Sequence, residues 1–456
     1  MEELQKYAIV GAIMRATFLV LFGVIFGIIG IFIFQRFFSI DTLAESVEEY
    51  IPNTLRQKII PLENSKNFLE SEIVRLKKSG EMFVLANLTT MQLDVYENGV
   101  PVVTFPIQAK GREGSWWETP AGLYSIKIKS QNHLSSIGNV YMPWSMQFQG
   151  NFFIHGLPYY PDGSLVSTSY SGGCIRLNTD DAEKMYKLVT RGVPVIIYED
   201  FDNASDLKRN YIFGPSAITA QNFLVADLSN GFTFSSQGGD ENVDALIATN
   251  LLTAIVSAEY MDIERNIMTD SSDQVPTIKP RLESGKKYTV YDYLYILLQE
   301  SSQEASHVLA RALGLSRTVD LVTQKAQAIG MERSQFGDLQ TVGSVNVTTP
   351  TDMYQLLRYM YFNRKFLLTI SANTAETQVY GAPAFKNIEN FNLFEGDPEF
   401  VGGNVRQIVN GTNGVFVFDI PFGETVKPIA IILNQSTNIE SDVRAMRTFV
   451  QTSFRN

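Results

Sequence analysis

The chain has a single cysteine, Cys174, and only three histidines, His133, His155 and His307. One thiol excludes an internal disulfide and every cysteine-rich zinc or iron–sulfur site. The histidines show no metal-ligand spacing, so no metal and no cofactor is expected. Positive charge is in short supply: 37 Lys and Arg stand against 48 Asp and Glu, a formal net charge of −11. That balance argues against nucleic acid as a partner, because phosphate binding wants a basic surface.

One long apolar run is present. From Ala16 to Phe34 there is no charged residue, and Arg15 and Arg36 bracket the stretch. As a helix it would measure about 28 Å, enough to cross the hydrocarbon of a bilayer. It reads as an N-terminal transmembrane anchor within 1–38, with a buried core helix and a cleaved signal peptide as the alternatives. Lys6, Arg15 and the amino terminus precede the run, and Arg36 alone follows it closely. The positive-inside tendency then predicts a single-pass membrane protein with a cytoplasmic N-terminus and all later domains extracytoplasmic. In an oxidising compartment an idle thiol is a liability, which raises the interest of Cys174.

A chain of 456 residues suggests about two to four domains. Residues 39–81 are charged and helix-prone, the pattern of a helical stalk. From Phe83 the pattern turns to strands: Phe83–Leu88, Gln92–Tyr96, Val100–Ile107, Leu123–Ile128, Val140–Phe148, Phe152–His155 and Val193–Tyr198. Asn98-Gly99 is a strong hairpin signal. One helix is expected in this stretch, over Thr179–Val189. Residues 82–199 therefore read as a mostly β domain. The polar stretch 200–224 reads as a linker, and 225–456 as a second globular region with helices at Asp244–Tyr260 and Tyr291–Leu313.

The chemistry concentrates at Ser171-Gly172-Gly173-Cys174-Ile175-Arg176-Leu177. His155 lies upstream in Phe152-Phe153-Ile154-His155-Gly156. A thiol, an imidazole before it and a guanidinium after it are the parts of a cysteine acyl-transfer site. Gly172, Gly173 and Cys174 could turn backbone N–H groups toward a developing oxyanion. Arg176 could hold a substrate carboxylate or orient the loop. The Gly156 carbonyl could fix the His155 tautomer. The motif's position before a helix predicts a thiol near a helix N-terminus, where negative charge is favoured. The bland readings are an inert buried thiol, a hydrogen-bonded strand histidine and a structural salt bridge at Arg176.

These residues, with Thr119-Pro120-x-Gly122, Met142-Pro143-Trp144 and Gly192-Val193-Pro194-Val195, resemble the catalytic domain of L,D-transpeptidases. The resemblance implies a β-sandwich-like domain acting on peptidoglycan stem peptides. In it Cys174 is the nucleophile and His155 the base, with Arg176, Gly173, Gly172, Ser171 and Gly156 as oxyanion or substrate-binding residues. It also implies roles in peptidoglycan biosynthesis, cell-wall organisation and cell shape. The family more often has Ser-His-Gly-Cys; Gly172 replaces that second histidine.

The second region resembles serine D-alanyl-D-alanine carboxypeptidases of the penicillin-binding, β-lactamase-like fold. The resemblance rests on Thr289-Val290-Tyr291-Asp292-Tyr293-Leu294, Ser301-Ser302-Gln303-Glu304-Ala305, Ile329-Gly330-Met331, Thr349-Pro350-Thr351-Asp352-Met353 and Asn410-Gly411-Thr412. That family's catalytic residues are missing. Ile247 and Asn250 fall where its serine and lysine belong, Gln303 ends its Ser-x-Asn, and Val409-Asn410-Gly411 stands for its Lys-Thr-Gly. A degenerate domain without hydrolysis is expected.

The expected fold class is thus multidomain α+β, with a transmembrane helix, a mostly β catalytic domain and a C-terminal α/β domain. The expected function is a membrane-anchored L,D-transpeptidase; a non-catalytic wall-binding scaffold and an L,D-carboxypeptidase are the alternatives. The sequence leaves the oligomeric state open.

Overall fold

The computed structural model describes residues 68–167, 169–200, 208–209, 215, 218–337, 339, 346–375 and 381–455, which fall within one compact unit, Ile59–Asn456. Helix α1 (Phe68–Ser79) leads into β1 (Phe83–Asn87), β2 (Gln92–Glu97) and β3 (Val100–Pro106). Asn98 and Gly99 join the last two with φ values of 53° and 79°, the left-handed pair that a tight type I′ turn demands. Then come β4 (Gly122–Ser125), β5 (Ile128–Ser135), β6 (Val140–Gln149), β7 (Phe152–His155), β8 (Ile175–Arg176), α2 (Thr179–Leu188) and β9 (Pro194–Tyr198).

These strands form two sheets, ordered β3-β2-β1-β9-β4 and β5-β6-β7-β8. One apolar core joins them, with Val84, Phe105, Phe148, Ile154, Ile175 and Val195 buried. Strand β5 has no counterpart among the strands read from sequence. It is a sheet edge with no buried residue, so its Lys-Ser-Gln-Asn-His stretch lacks the apolar alternation that betrays a strand. Helix α1, the described part of the expected stalk, is not free-standing. Its Leu76 is buried against Phe83, Leu85, Tyr96 and Ile196.

The expected transmembrane helix is corrected. Among the described residues no helix is long and apolar enough to cross a membrane. The longest have 15 residues, about 22 Å of helix against the ~30 Å of a bilayer core. The run at 16–34 lies outside the described residues. The membrane segment of the expected fold class, the membrane partner, the anchored form of the function and the single-pass, extracytoplasmic localisation therefore find no support among the described residues.

The second region starts with short β10 (Lys208–Arg209), followed by β11 (Asn222–Asp227), β12 (Thr233–Gln237), β13 (Val243–Asp244) and α3 (Leu246–Tyr260). Next are β14 (Asn266–Met268), β15 (Lys287–Thr289), α4 (Val290–Glu300), α5 (Gln303–Leu313), α6 (Leu315–Ala328) and β16 (Val347–Thr348). Helices α7 (Pro350–Asn363) and α8 (Lys365–Ser371), strands β17 (Phe400–Ile408), β18 (Gly411–Phe422) and β19 (Thr425–Ser436), and helix α9 (Ile439–Ser453) follow, and a last short strand, β20 (Phe454–Arg455), pairs with β10. The sheet runs β12-β11-β19-β18-β17. Alternation sends Leu224, Ala226, Ala430 and Ile432 to the face packed by α3 to α8, and Phe223, Val225, Ile429 and Ile431 to the face packed by α9. Residues 201–207, most of the expected linker's first half, lie outside the described residues.

The single helix expected over Tyr291–Leu313 is two. Ser301 adopts a left-handed conformation (φ 50°) that ends α4, and the Ser302 hydroxyl caps α5 by accepting from Ala305 N–H. Two of the motifs shared with the carboxypeptidases turn out to be helix caps. Thr289 and Asp292 form a reciprocal capping box on α4, and Thr349 accepts from Asp352 N–H at the start of α7.

Candidate active site

Strands β7 and β8 are parallel, with Ile154 opposite Ile175 and His155 opposite Arg176. Long excursions of chain are needed between parallel strands, which is why Cys174 comes nineteen positions after His155. Cys174 immediately precedes β8. His155, Cys174 and Arg176 line one cleft of about 800 Å³, with Met142, Tyr160 and Tyr170 on its walls. Met142 and Phe153 pack directly around the thiol. Trp144 does not line the cleft; it turns to Tyr186 on α2, ring centroids 5.4 Å apart.

His155 is buried, and its Nδ1 lies 2.5 Å from the Gly156 carbonyl oxygen. A carbonyl can only accept, so Nδ1 carries the proton and Nε2 keeps its lone pair. Burial brings the imidazole down to about 4; the Gly156 carbonyl opposes this, and the Arg176 charge adds to it. Burial likewise pushes the Cys174 thiol up to about 11, against a smaller opposing pull from its hydrogen bond at Phe153 and from Arg176. The resting pair is therefore neutral thiol and neutral imidazole. Sγ–H points toward the Asn151 carbonyl at 3.8 Å. A helix N-terminus does not set the thiol's charge, since α2 begins only at Thr179, beyond β8. The Thr179 hydroxyl instead receives the Leu157 N–H at 3.2 Å.

The loop before the thiol is tied from several sides. The Ser171 hydroxyl donates to the Cys174 carbonyl and accepts the Gly173 N–H at 3.0 Å. That amide is thus committed within the loop, while Gly172 and Cys174 carry the other two of the three N–H groups. Gly173 has φ 98°, and Thr119 Oγ1 donates to its carbonyl at 2.9 Å. Gly172 is different: a Cβ there would meet no atom within 4 Å. The absent second histidine leaves open space, not a packed substitute. The Gly156 N–H donates to the Pro143 carbonyl at 2.8 Å, pinning the strand end below His155. Burial lowers the guanidinium of Arg176 from its ordinary value.

Residues beyond the sequence reading also border the cleft. Arg112, Trp116 and Trp117 come from the loop after β3. Ala258 and Glu259 come from the end of α3, in the second region. Glu259 is fully buried. Burial would raise its carboxyl, yet Lys325 and Arg364 bring it down to about 2. The one signal in the sequence is a lone acid in an otherwise uncharged helix, Leu246 to Tyr260.

In the second region Asn250, Ser301 and Gln303 do come together. Gln303 Nε2 donates to Asn250 Oδ1 at 3.3 Å, and the Ser301 hydroxyl donates to the Val405 carbonyl at 2.9 Å. Val409 is wholly exposed at the β17–β18 turn, and the residue facing Ser301 is Asn404, at 3.3 Å. Ile247 and Asn250 supply neither a nucleophile nor a base.

Residues 81–197 match the L,D-transpeptidase catalytic domain (YkuD) family model. A D-alanyl-D-alanine endopeptidase of Haemophilus influenzae is 25% identical over 194 residues, 41% of this chain and 65% of its own. A D-alanyl-D-alanine carboxypeptidase of Mycobacterium tuberculosis is 28% identical over 154 residues, 32% of this chain and 52% of its own. The chain thus spans less than two thirds of the length of either relative. Among solved structures, a D-alanyl-D-alanine carboxypeptidase of Mycobacterium tuberculosis covers 52% of this chain and 92% of its own at 20% identity and TM-score 0.43. Penicillin-binding protein 6B of Escherichia coli covers 55% and 82% at 14% identity and TM-score 0.45. Over residues 81–197 the chain is thus similar to the catalytic domain of the L,D-transpeptidase family.

Proposed function

We propose that the chain is an L,D-transpeptidase that joins peptidoglycan stem peptides through a Cys174 acyl-enzyme. The observation that carries this reading is the pairing of β7 with β8, which opens His155 and Cys174 onto one cleft with the His155 proton fixed on Nδ1. His155 Nε2 takes the thiol proton as Sγ attacks the carbonyl before the stem's terminal D-residue. The S–C bond forms, and the amide N–H groups of Gly172 and Cys174 face the oxyanion. The C–N bond then breaks, and the imidazolium returns its proton to the leaving amine. An amine of a second stem peptide attacks the thioester, gives its proton to His155, and releases Cys174 as the thiol. Arg176 holds the loop or a substrate carboxylate.

The motifs of the second region resemble those of D,D-peptidases. We assign it no hydrolysis, because Ile247 and Asn250 occupy the positions of that chemistry's serine and lysine. The domains proposed are 82–199 for catalysis and 225–456 for the accessory region. Incubation with a defined tetrapeptide stem, followed by intact mass, tests the function. A wild-type adduct lost in Cys174→Ala is expected. No adduct with any stem peptide, and no cross-linked product, would overturn it.

A further inference from the structure

The catalytic loop is gripped from both sides by one buried charge cluster of the second region. Glu259 Oε1 accepts from Lys325 Nζ at 2.8 Å, Arg364 Nη2 at 2.9 Å and the Tyr359 hydroxyl at 2.6 Å. All of these groups but Tyr359 are wholly buried, and Tyr359 nearly so. Two contacts leave this cluster toward the turn between β6 and β7. Glu259 Oε2 accepts from Gln149 Nε2 at 3.0 Å, and the Glu259 main-chain carbonyl accepts from Asn151 N–H at 3.1 Å. Gly150 between them has φ 44°, and a Cβ there would lie 2.3 Å from the Glu259 carbonyl oxygen. The turn is pressed onto the end of α3 with no room for a side chain.

That turn is one contact from the thiol: Asn151 offers the carbonyl that Cys174 Sγ–H points to. Phe152, the next residue, lies beneath Gly173, and the Arg364 guanidinium stands 5.6 Å from the Phe152 ring centroid. Arg364 also reaches the opposite side of the loop. Its Nη1 donates to the Glu118 carbonyl at 3.0 Å, and the neighbouring Thr119 hydroxyl holds the Gly173 carbonyl.

We infer that Glu259, acting through Gln149, Asn151 and Arg364, is a positioning residue for Cys174, so that the second region is a working part of the transpeptidase site. The inference rests on the proposed function for its substrate. Glu259 is wholly buried, so it lines the cleft from behind and touches no substrate. It fixes the turn and loop that aim the sulfur. Misplacement of a reacting group by about 1 Å can cost ~100-fold in rate. An acid of the second region thereby serves the nucleophile of the first.

The test uses the full chain with Glu259→Gln and with Gln149→Leu, which leaves the Lys325–Glu259–Arg364 cluster whole. Two rates are read for each: acylation of Cys174 by a defined tetrapeptide stem across its concentration, and alkylation of Cys174 by iodoacetamide. Thermal unfolding reports whether each variant is folded. For a folded Glu259→Gln, a maximal acylation rate about 100-fold lower is expected, with the half-saturating stem concentration within about twofold. Gln149→Leu should fall about 10-fold with a melting curve like the wild type. If Glu259→Gln does not fold, the Gln149→Leu rates decide alone. Wild-type rates in every folded variant would overturn the inference while leaving the function standing. A wild type that no stem peptide acylates would sink the function. A changed alkylation rate in the folded variants would then still uphold the positioning, and an unchanged one would remove it too.

Discussion

Gly173 lies so close to Phe152 that a Cβ on it would sit 2.2 Å from the nearest ring carbon. Its φ of 98° is also outside what other residues adopt readily. Gly173→Ala should therefore destabilise the chain by about 1–3 kcal/mol and abolish acylation. Gly172→His, beside it, should leave the urea midpoint unchanged, because the position is open. Equal effects at the two positions would contradict the loop geometry.

The neutral resting pair sets a pH expectation. With the thiol held up at about 11, little thiolate exists at neutral pH. Iodoacetamide should modify Cys174 about 100-fold more slowly in the folded chain than in urea at pH 7. The folded rate should climb toward pH 11. A plateau below pH 8 would mean a preformed thiolate.

Glu118, at the foot of the tryptophan loop, is raised to about 7 by burial, against the opposing charge of Arg364. A carboxyl raised on folding favours the protonated chain. Its stability contribution is full below about 4.5 and is lost as pH rises through about 7. Glu118→Gln should thus gain stability at pH 8, on the order of 3 kcal/mol at most, and change nothing at pH 4. Urea midpoints at the two pH values check this.

The Glu259 cluster acts with the opposite sign. A carboxyl held down to about 2 contributes stability above about 4.5, which is lost as pH falls through 2. Lys325→Met removes one of its two cations from a fully buried site and should cost about 3–5 kcal/mol at neutral pH. An unchanged melting temperature would show that the cluster does not hold the two regions together.

The second region should react with no β-lactam. A fluorescent penicillin is expected to label nothing after residue 200, read by gel and by mass. A labelled serine there would show a nucleophile that Ile247 and Asn250 exclude.

Much of the first region could be read from the chain alone. Alternating apolar residues marked most of its strands, and Asn98-Gly99 marked its hairpin, because these signals are local. The edge strand Ile128–Ser135 stayed hidden because edge exposure removes alternation. The split at Ser301 stayed hidden because a left-handed serine is held by a distant carbonyl, that of Val405. The apolar run at 16–34 suggested an anchor by its length and freedom from charge; it lies outside the described residues, among which no helix has the length and apolarity for one.

The order of residues along the chain determined which groups could do chemistry: one thiol, one histidine at a strand end, two glycines that free the backbone. Those are facts of identity and short spacing. Tertiary structure alone decided the protonation of that pair, since burial is a property of packing. It alone brought Glu259 to the turn beside Cys174, across more than eighty residues of sequence. Partners that distant leave no local pattern, because their contact is made only when the two regions close on each other and exclude water between them.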